Sequence, residues 1–304
     1  MNSLKEKILQ LKKKRNAVIL SHTYQPGEIQ DIADFVGDSY GLSVQATKVK
    51  DADLILFCGV KFMAETAAIL SPDKKVIMPV EEASCPMADM ITPDELIQYK
   101  TKYPDYLVMC YVNSTAEIKA LSDICCTSSN ALKIALKIPD EKGIIFIPDK
   151  HLGGWVKEKT GHKMVLWDGF CPTHVYIKPE AVKDARKKHP SATLLIHPET
   201  PKQSRDLADA VLSTGGMCEY VKNNTQNEYI IATETGIIHT LKTQNPDKIF
   251  YPLNESIVCP NMKMGSLQLL YKALEGKGGV HIKVPQDIAN KAIFTLKKMI
   301  EMSK

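Results

Sequence analysis

Long apolar runs, aromatic residues and blocks of like charge are all scarce in this 304-residue chain, and each scarcity removes a class of function. No apolar run approaches the roughly 20 residues needed to cross a bilayer, and the first residues lack the apolar core of a signal peptide. The expected place is therefore the cytoplasm, with no membrane partner. The longest basic block, Lys12-Lys13-Lys14-Arg15, closes an amphipathic stretch and reads as a solvated helix end. Aromatics make up 7% of the residues, and the 39 basic and 35 acidic residues are scattered. Nucleic acid, which calls for a clustered basic face interleaved with aromatics, is not an expected partner. Glycine-rich phosphate loops are missing too: Gly215-Gly216 leaves backbone room beside Thr214, but no G-x-G-x-x-G or Walker pattern occurs, so no nucleotide cofactor is expected. There is no G-x-S-x-G nucleophile elbow either.

What the chain does have is cysteine, eight in all. A reducing compartment disfavours disulfides, which leaves metal binding or plain burial as small hydrophobes. Three of the eight precede proline: Cys85-Pro86, Cys171-Pro172 and Cys259-Pro260, spaced by 86 and 88 residues. Chance alone gives about 0.4 such pairs, counted as matches to a template.

The even spacing extends beyond the thiols and marks an internal repeat. Apolar runs at 18–20, 107–109 and 194–196 lead into the polar triplets His22-Thr23-Tyr24, Tyr111-Val112-Asn113 and His197-Pro198-Glu199. Each triplet is followed 17 positions on by a hydroxyl (Ser39, Ser128, Thr214), and each hydroxyl after 43 to 46 residues by its Cys-Pro. Pro93 and Pro104 recur as Pro179 and Pro190, each pair bracketing a short helical pattern. Continuous apolar runs at 54–57 and 76–78, 144–147 and 164–167, 229–232 and 249–251, separated by helical segments, imply parallel sheets covered on both faces. The fold class is α/β: three pseudo-equivalent αβα domains with short, three-stranded parallel sheets around a pseudo-threefold axis. Their bounds are 1–90, 91–176 and 177–304. Apolar residues at Ile288, Ala292, Leu296 and Ile300 form a helical stripe over 286–302 that packs back onto one unit.

Ligands of such sheets collect at the carboxyl ends of the strands, where the triplets and cysteines fall. Three thiolates without a fourth equivalent partner suit an iron-sulfur cubane with one open iron, a Lewis acid toward a hydroxyl, carboxylate or carbonyl. Zinc and purely structural cysteines are the rivals, although ligands more than 80 residues apart argue against a zinc finger. Cys58, Cys110, Cys125, Cys126 and Cys218 break the repeat and are read as structural. Ser39, Ser128 and Thr214 are expected helix N-caps, and three helix N-termini around one cavity imply a polyanionic ligand. Among the triplets, His22 and His197 can exchange protons near neutrality, Tyr24 can donate one and Glu199 can accept one. His174 could be a metal ligand, a substrate contact or a loop residue, and its place beside Cys171 favours the contact.

At these residues the chain resembles the quinolinate synthase family. The likeness runs through Ser21-His22-Thr23-Tyr24-Gln25, 31–39, Ser84-Cys85-Pro86-Met87-Ala88, Tyr111-Val112-Asn113-Ser114-Thr115, Cys171-Pro172-Thr173-His174, His197-Pro198-Glu199, Ser213-Thr214-Gly215 and Cys259-Pro260-Asn261-Met262. The resemblance implies a 4Fe-4S cluster held by Cys85, Cys171 and Cys259 between three α/β domains. It implies a transferase of NAD biosynthesis that condenses iminoaspartate with dihydroxyacetone phosphate to quinolinate, releasing phosphate and two waters. A functional link to an iminoaspartate-producing enzyme follows. The implied dicarboxylate-binding set is His22, Ser39, Tyr111, Asn113, Ser128, His197, Pro198, Glu199 and Thr214, with His174 as a further contact. Tyr24 is similar to a family tyrosine that assists proton transfer, with His22 and Glu199 as catalytic partners. Two positions depart from the family pattern. Met262 stands where some members carry the second thiol of a C-x-x-C, and Val175 where glutamine is expected. An aconitase-like hydro-lyase and an iron-sulfur sensor are the alternatives, and a requirement for dihydroxyacetone phosphate separates the synthase from the former.

Overall fold

A run of apolar residues without alternation has no face to offer water, and in this chain each such run becomes a strand covered on both sides. The computed structural model describes residues 3–304. Its strands are β1 (Ala17–His22), β2 (Phe35–Gly37), β3 (Leu54–Cys58), β4 (Lys75–Met78), β5 (Leu107–Tyr111), β6 (Ile124–Cys126), β7 (Ile144–Ile147), β8 (Met164–Leu166), β9 (Thr193–Ile196), β10 (Ala210–Val211), β11 (Glu228–Ala232), β12 (Ile249–Pro252) and β13 (Val280–His281). Every residue of β3 and β7 is buried. Helices separate the strands, so each sheet grows by parallel crossover connections.

Three sheets result, in the orders β2-β1-β3-β4, β6-β5-β7-β8 and β10-β9-β11-β12, all parallel, with β13 added antiparallel beside β4. Four strands per unit replace the three expected from sequence. The extra edge strands β2, β6 and β10 are two or three residues long, too short to carry a recognisable pattern. Each is tied to its neighbour by an aspartate that recurs in all three units: Asp34, Asp123 and Asp209 accept from the backbone N–H of Ile19, Val108 and Leu194 at 2.8, 2.7 and 2.7 Å. One contact made three times is the structural signature of the repeat. Pro93 and Pro179 sit at the first position of the helices Pro93–Lys102 and Pro179–Lys188, where a missing N–H costs nothing.

The chain does not end within the third unit. Helix Leu267–Glu275 returns to the first and buries Leu267, Leu270, Ala273 and Leu274 in one cluster with Ile8, Ile19 and Ile29. Val280 and His281 then pair with Met78 and Ile77. Helix Gln286–Met302 lies on the second unit, against helix Ala116–Leu121 and β6. Its buried stripe is Ala292, Thr295, Leu296 and Met299. The expected Ala292 and Leu296 are at its centre, while Ile288 and Ile300 sit partly buried at its margin.

Leu296 is fully buried, whereas Phe294 on the same helix is 72% exposed. Leu296→Ala is expected to lower the unfolding free energy by about 2–5 kcal/mol through lost burial and a cavity. Phe294→Ala should stay within about 0.5 kcal/mol of the parent. Urea denaturation of both variants checks the docking of the C-terminal helix.

Candidate active site

Because β1, β5 and β9 point their carboxyl ends at one place, the residues that follow them meet in a cavity of about 620 Å³, mouth included, between the three sheets. His22, Tyr24, Ser39, Cys85, Tyr111, Asn113, Ser128, Cys171, His174, His197, Glu199, Thr214 and Cys259 all line it. Pro198 does not; its carbonyl accepts from Arg205 Nη1 at 3.0 Å. Phe62, Met63 and Met262 supply apolar wall, and Met262 takes a hydrogen bond from Gln25 Nε2 on its carbonyl at 2.7 Å.

The first and third triplets share one local geometry. His22 Nδ1 accepts from the N–H of Tyr24 at 3.1 Å, and His197 Nδ1 from that of Glu199 at 3.4 Å. Each ring therefore carries its proton on Nε2 and can donate. Burial pushes the pKa of His22 down to about 4 and that of His197 to about 3. The expectation that these rings exchange protons near neutrality is thereby corrected, since desolvation of the charged form keeps both neutral hydrogen-bonding groups at pH 7.

Glu199 is 3% exposed. Burial works to raise its pKa, but the His174 ring beside it and hydrogen bonds from His174 and Tyr111 outweigh it, so the group stays below the usual carboxylate range. His174 Nδ1 lies 2.7 Å from Glu199 Oε2, and the Tyr111 hydroxyl donates to Oε1. With Nδ1 engaged by the carboxylate and 3.2 Å from Cys171 Sγ, His174 Nε2 is left for Thr233 Oγ1 at 2.8 Å. Thr233 Oγ1 is 2.7 Å from the Tyr24 hydroxyl, which is also 2.7 Å from Thr214 Oγ1. A continuous path thus runs Thr214, Tyr24, Thr233, His174, Glu199, Tyr111 and crosses all three units. Burial raises the Tyr24 pKa well above its ordinary value, so the path starts from a neutral phenol.

Ser39 and Thr214 are not caps, contrary to expectation. Each is the first residue of its helix, Ser39–Lys48 or Thr214–Asn223, and the caps are the preceding Asp38 and Ser213, which accept from Gly41 and Gly216 N–H at 2.8 and 3.0 Å. Ser128 lies two residues before Asn130, the cap position of helix Ala131–Ala135. Released from capping, all three residues line the cavity, Thr214 with its hydroxyl on Tyr24. The caps meet instead: Ser129 Oγ donates to Asp38 Oδ2 and lies 2.9 Å from Ser213 Oγ, while Gly215 N–H reaches Asp38 Oδ2 at 3.2 Å. Asn113 Oδ1 has no hydrogen-bond partner among the described residues. A buried acceptor without a partner in a cavity marks a place for a ligand group.

The thiols of Cys85, Cys171 and Cys259 reach the cavity from turns after β4, β8 and β12. Burial pushes Cys85 up to about 12 and raises Cys171 and Cys259 as well. The backbone N–H of Cys171 is held by Asp149 Oδ2 at 3.2 Å and that of Cys259 by Glu234 Oε1 at 3.3 Å. The other five thiols do not line the cavity; Cys58, Cys110, Cys125 and Cys126 are buried in strands.

Asp38, Asp149, Thr233 and Glu234 were not legible as site residues from sequence. Asp149 and Glu234 do carry a signal, a carboxylate 38 and 37 residues after the start of its triplet, although the first unit has Val60 at that place. Thr233 carries none.

Three like α/β units that close a cysteine-rimmed cavity between them define an enzyme acting on small molecules at a pseudo-threefold junction. Residues 6–301 match the family described as Quinolinate synthetase A protein. The chain is 50% identical to the quinolinate synthase of Dehalococcoides mccartyi (strain CBDB1) over 299 residues, 98% of each chain. It is likewise 50% identical to that of Thermodesulfovibrio yellowstonii over 303 residues, 99% of each, and 47% identical to that of Caldicellulosiruptor saccharolyticus over 309 residues, 100% of this chain and 99% of the relative. The chain belongs to the quinolinate synthase family, whose members make quinolinate for NAD biosynthesis. Among the described residues no helix is long and apolar enough to cross a membrane.

The histidine shifts set a pH dependence of stability. The folded values of His22 and His197, about 4 and about 3, lie below the roughly 6.5 of the unfolded chain, so between those values the unfolded state binds more protons. Stability is therefore expected to fall as pH drops from about 6.5 toward 4, by on the order of 3 kcal/mol for a shift the size of that at His22. His22→Asn should flatten that slope in urea midpoints measured from about pH 7 to about pH 4.5. An unchanged slope would assign the acid sensitivity elsewhere.

Proposed function

We propose that the chain is a cytoplasmic transferase that condenses iminoaspartate with dihydroxyacetone phosphate to quinolinate, releasing phosphate and two waters. Cys85, Cys171 and Cys259 would hold a 4Fe-4S cluster, and a separate iminoaspartate-producing enzyme would supply the imino acid. The observation that carries this reading is that one cysteine from each unit lines the same cavity as all three polar triplets.

The donor set fits a cluster better than a single ion. A tetrahedral zinc with Zn–S near 2.3 Å draws three thiolates to within about 3.8 Å of one another. Among the described residues the one group of three potential ligands within 4.8 Å is Cys171, His174 and Glu199, already joined by hydrogen bonds, and the three cysteines do not form such a group. Thiols that burial holds protonated become thiolates only beside compensating positive charge, which a bound metal centre brings. Bound there, the cluster would supply a Lewis-acidic iron with one open position. With methionine at position 262, the turn after Cys259 has no second thiol to form a disulfide.

The chain's own groups account for binding and proton movement. Neutral His22 and His197 donate from Nε2, while Ser39, Ser128, Thr214 and the Asn113 amide, turned so that Nδ2 and not the acceptor Oδ1 faces the ligand, surround the anion. Glu199 fixes the His174 tautomer with its proton on Nδ1, so Nε2 can accept the Thr233 hydroxyl proton. This is the hydroxyl, imidazole, carboxylate arrangement that makes a side-chain oxygen basic. Thr233, its own hydroxyl directed to His174, accepts in turn from the Tyr24 hydroxyl, so Tyr24 ends a path along which a proton can leave toward His174 or return from it. Phe62 and Met63 limit water on the remaining side.

Anaerobic purification with iron and sulfide analysis, followed by a quinolinate assay, tests the whole reading. Alanine at any one of Cys85, Cys171 or Cys259 is expected to abolish the cluster, and alanine at Cys58 or Cys218 to leave it intact. Full iron content in Cys171→Ala would remove that ligand from the set.

Tyr24→Phe is expected to retain the cluster absorption and to lose about 1 kcal/mol of stability. Its turnover should fall about 100-fold to 10,000-fold, the usual contribution of a positioned proton donor. Parental turnover at saturating substrate would assign the proton transfer to His174, Glu199 or water instead.

A further inference from the structure

The seam between the first and second units contains a charge that the proposed chemistry does not use. Lys119, on helix Ala116–Leu121, is 0% exposed. Its Nζ donates to the carbonyl of Ser114 at 2.6 Å, reaches that of Phe62 at 3.5 Å, and lies 5.4 Å above the Phe62 ring. Glu65, on the same helix as Phe62, faces the seam as well, its Oε2 accepting from the N–H of Ala116 at 3.2 Å. Burial of an ammonium is costly and pushes the Lys119 pKa down, and the two carbonyls and the nearby Glu65 work against that.

Of the two carbonyls that Lys119 holds, one belongs to a residue that lines the cavity and the other to the neighbour of one. Phe62 lines it directly, and Ser114 follows Asn113, whose amide oxygen is the unpartnered acceptor there. The turn after β5 is closed on itself by Ser114 Oγ donating to the carbonyl of Tyr111 at 2.8 Å. Holding the Ser114 carbonyl fixes the peptide plane that leaves this turn, and with it the direction in which Asn113 presents its amide. A side chain positioned by locked neighbours binds without paying again for ordering, which is how a residue outside a cavity contributes to affinity inside it.

We propose that Lys119 is a positioning residue for substrate binding: its buried ammonium bridges the carbonyls of Ser114 and Phe62 and so aims Asn113 at the ligand. This rests on the reading of the cavity as the quinolinate-forming site. In Lys119→Met the apolar stem is kept and the donor is lost.

Titration of the anaerobically purified holoprotein with quinolinate, a stable dicarboxylate, supplies the test. Lys119→Met is expected to weaken quinolinate binding about tenfold or more, the factor carried by a hydrogen bond to a charged group, without changing the cluster absorption. If Lys119 acts through Asn113, the double variant Lys119→Met/Asn113→Ala should bind no more weakly than Asn113→Ala alone. Losses that multiply in the double variant, or parental affinity in Lys119→Met, would overturn the proposal. Should Lys119→Met fail to fold, Lys119→Gln, which keeps a donor without the charge, carries the same comparison. Failure of both to fold beside a folded Asn113→Ala assigns Lys119 to the stability of the seam alone and also overturns it. Parental affinity in Asn113→Ala would count against the site reading itself, because the cavity would then not be where quinolinate binds.

Discussion

A carboxylate taken wholly out of water is the constraint around which the centre of this molecule is arranged. An ionised group in that position is tolerated only when its oxygens are met by donors and its charge by a favourable field. Glu199, from the third unit, obtains both from the second: the Tyr111 hydroxyl on one oxygen and His174 Nδ1 on the other. Removing either donor leaves a buried acceptor unmatched, so the second and third units cannot separate locally without a large electrostatic cost. His174 then passes the constraint to Thr233 and on to Tyr24 in the first unit.

The same logic governs the periphery of the cavity. Asp38 caps a helix of the first unit while accepting from Ser129 of the second and Gly215 of the third. Asp149 and Glu234 hold the backbones of two cysteine turns, and Lys263 neutralises Glu234 at 2.9 Å. Polar contacts of this kind are directional, so they fix the separation and rotation of three sheets that apolar packing alone would allow to slide. A site shared by three units gains its precision from contacts that cross the seams between them.

The C-terminal segment acts on the same seams from outside. Helix Leu267–Glu275 and β13 belong to the packing of the first unit, and helix Gln286–Met302 covers the second. Thr295 Oγ1 donates to the carbonyl of Lys119 at 3.2 Å, which connects this last helix to the lysine behind the Asn113 turn. The third unit thus contributes its chain end to both of the others, and the covalent path reinforces the hydrogen-bonded one.

Sequence alone determined the threefold repeat, the parallel α/β class and 13 of the 21 residues that line the cavity. Those features are written in local terms: apolar runs of strand length, prolines at helix starts, and polar triplets, hydroxyls and Cys-Pro pairs at matching offsets. Tertiary structure decided the rest. The edge strands β2, β6 and β10 exist because Asp34, Asp123 and Asp209 hold them, not because two or three residues carry a pattern. Capping passed from Ser39 and Thr214 to Asp38 and Ser213, since a shift of one residue along the chain changes which oxygen reaches the free N–H groups. Histidines at 22 and 197 were legible as polar groups, but their neutrality at pH 7 follows from burial, which depends on all three units closing together. Thr233 entered the site only because the carboxyl end of β11 stops beside Tyr24 and His174, 209 and 59 residues away in sequence. Local pattern encodes which face of an element is buried, whereas the partner it meets there is set by the packing of segments far apart along the chain.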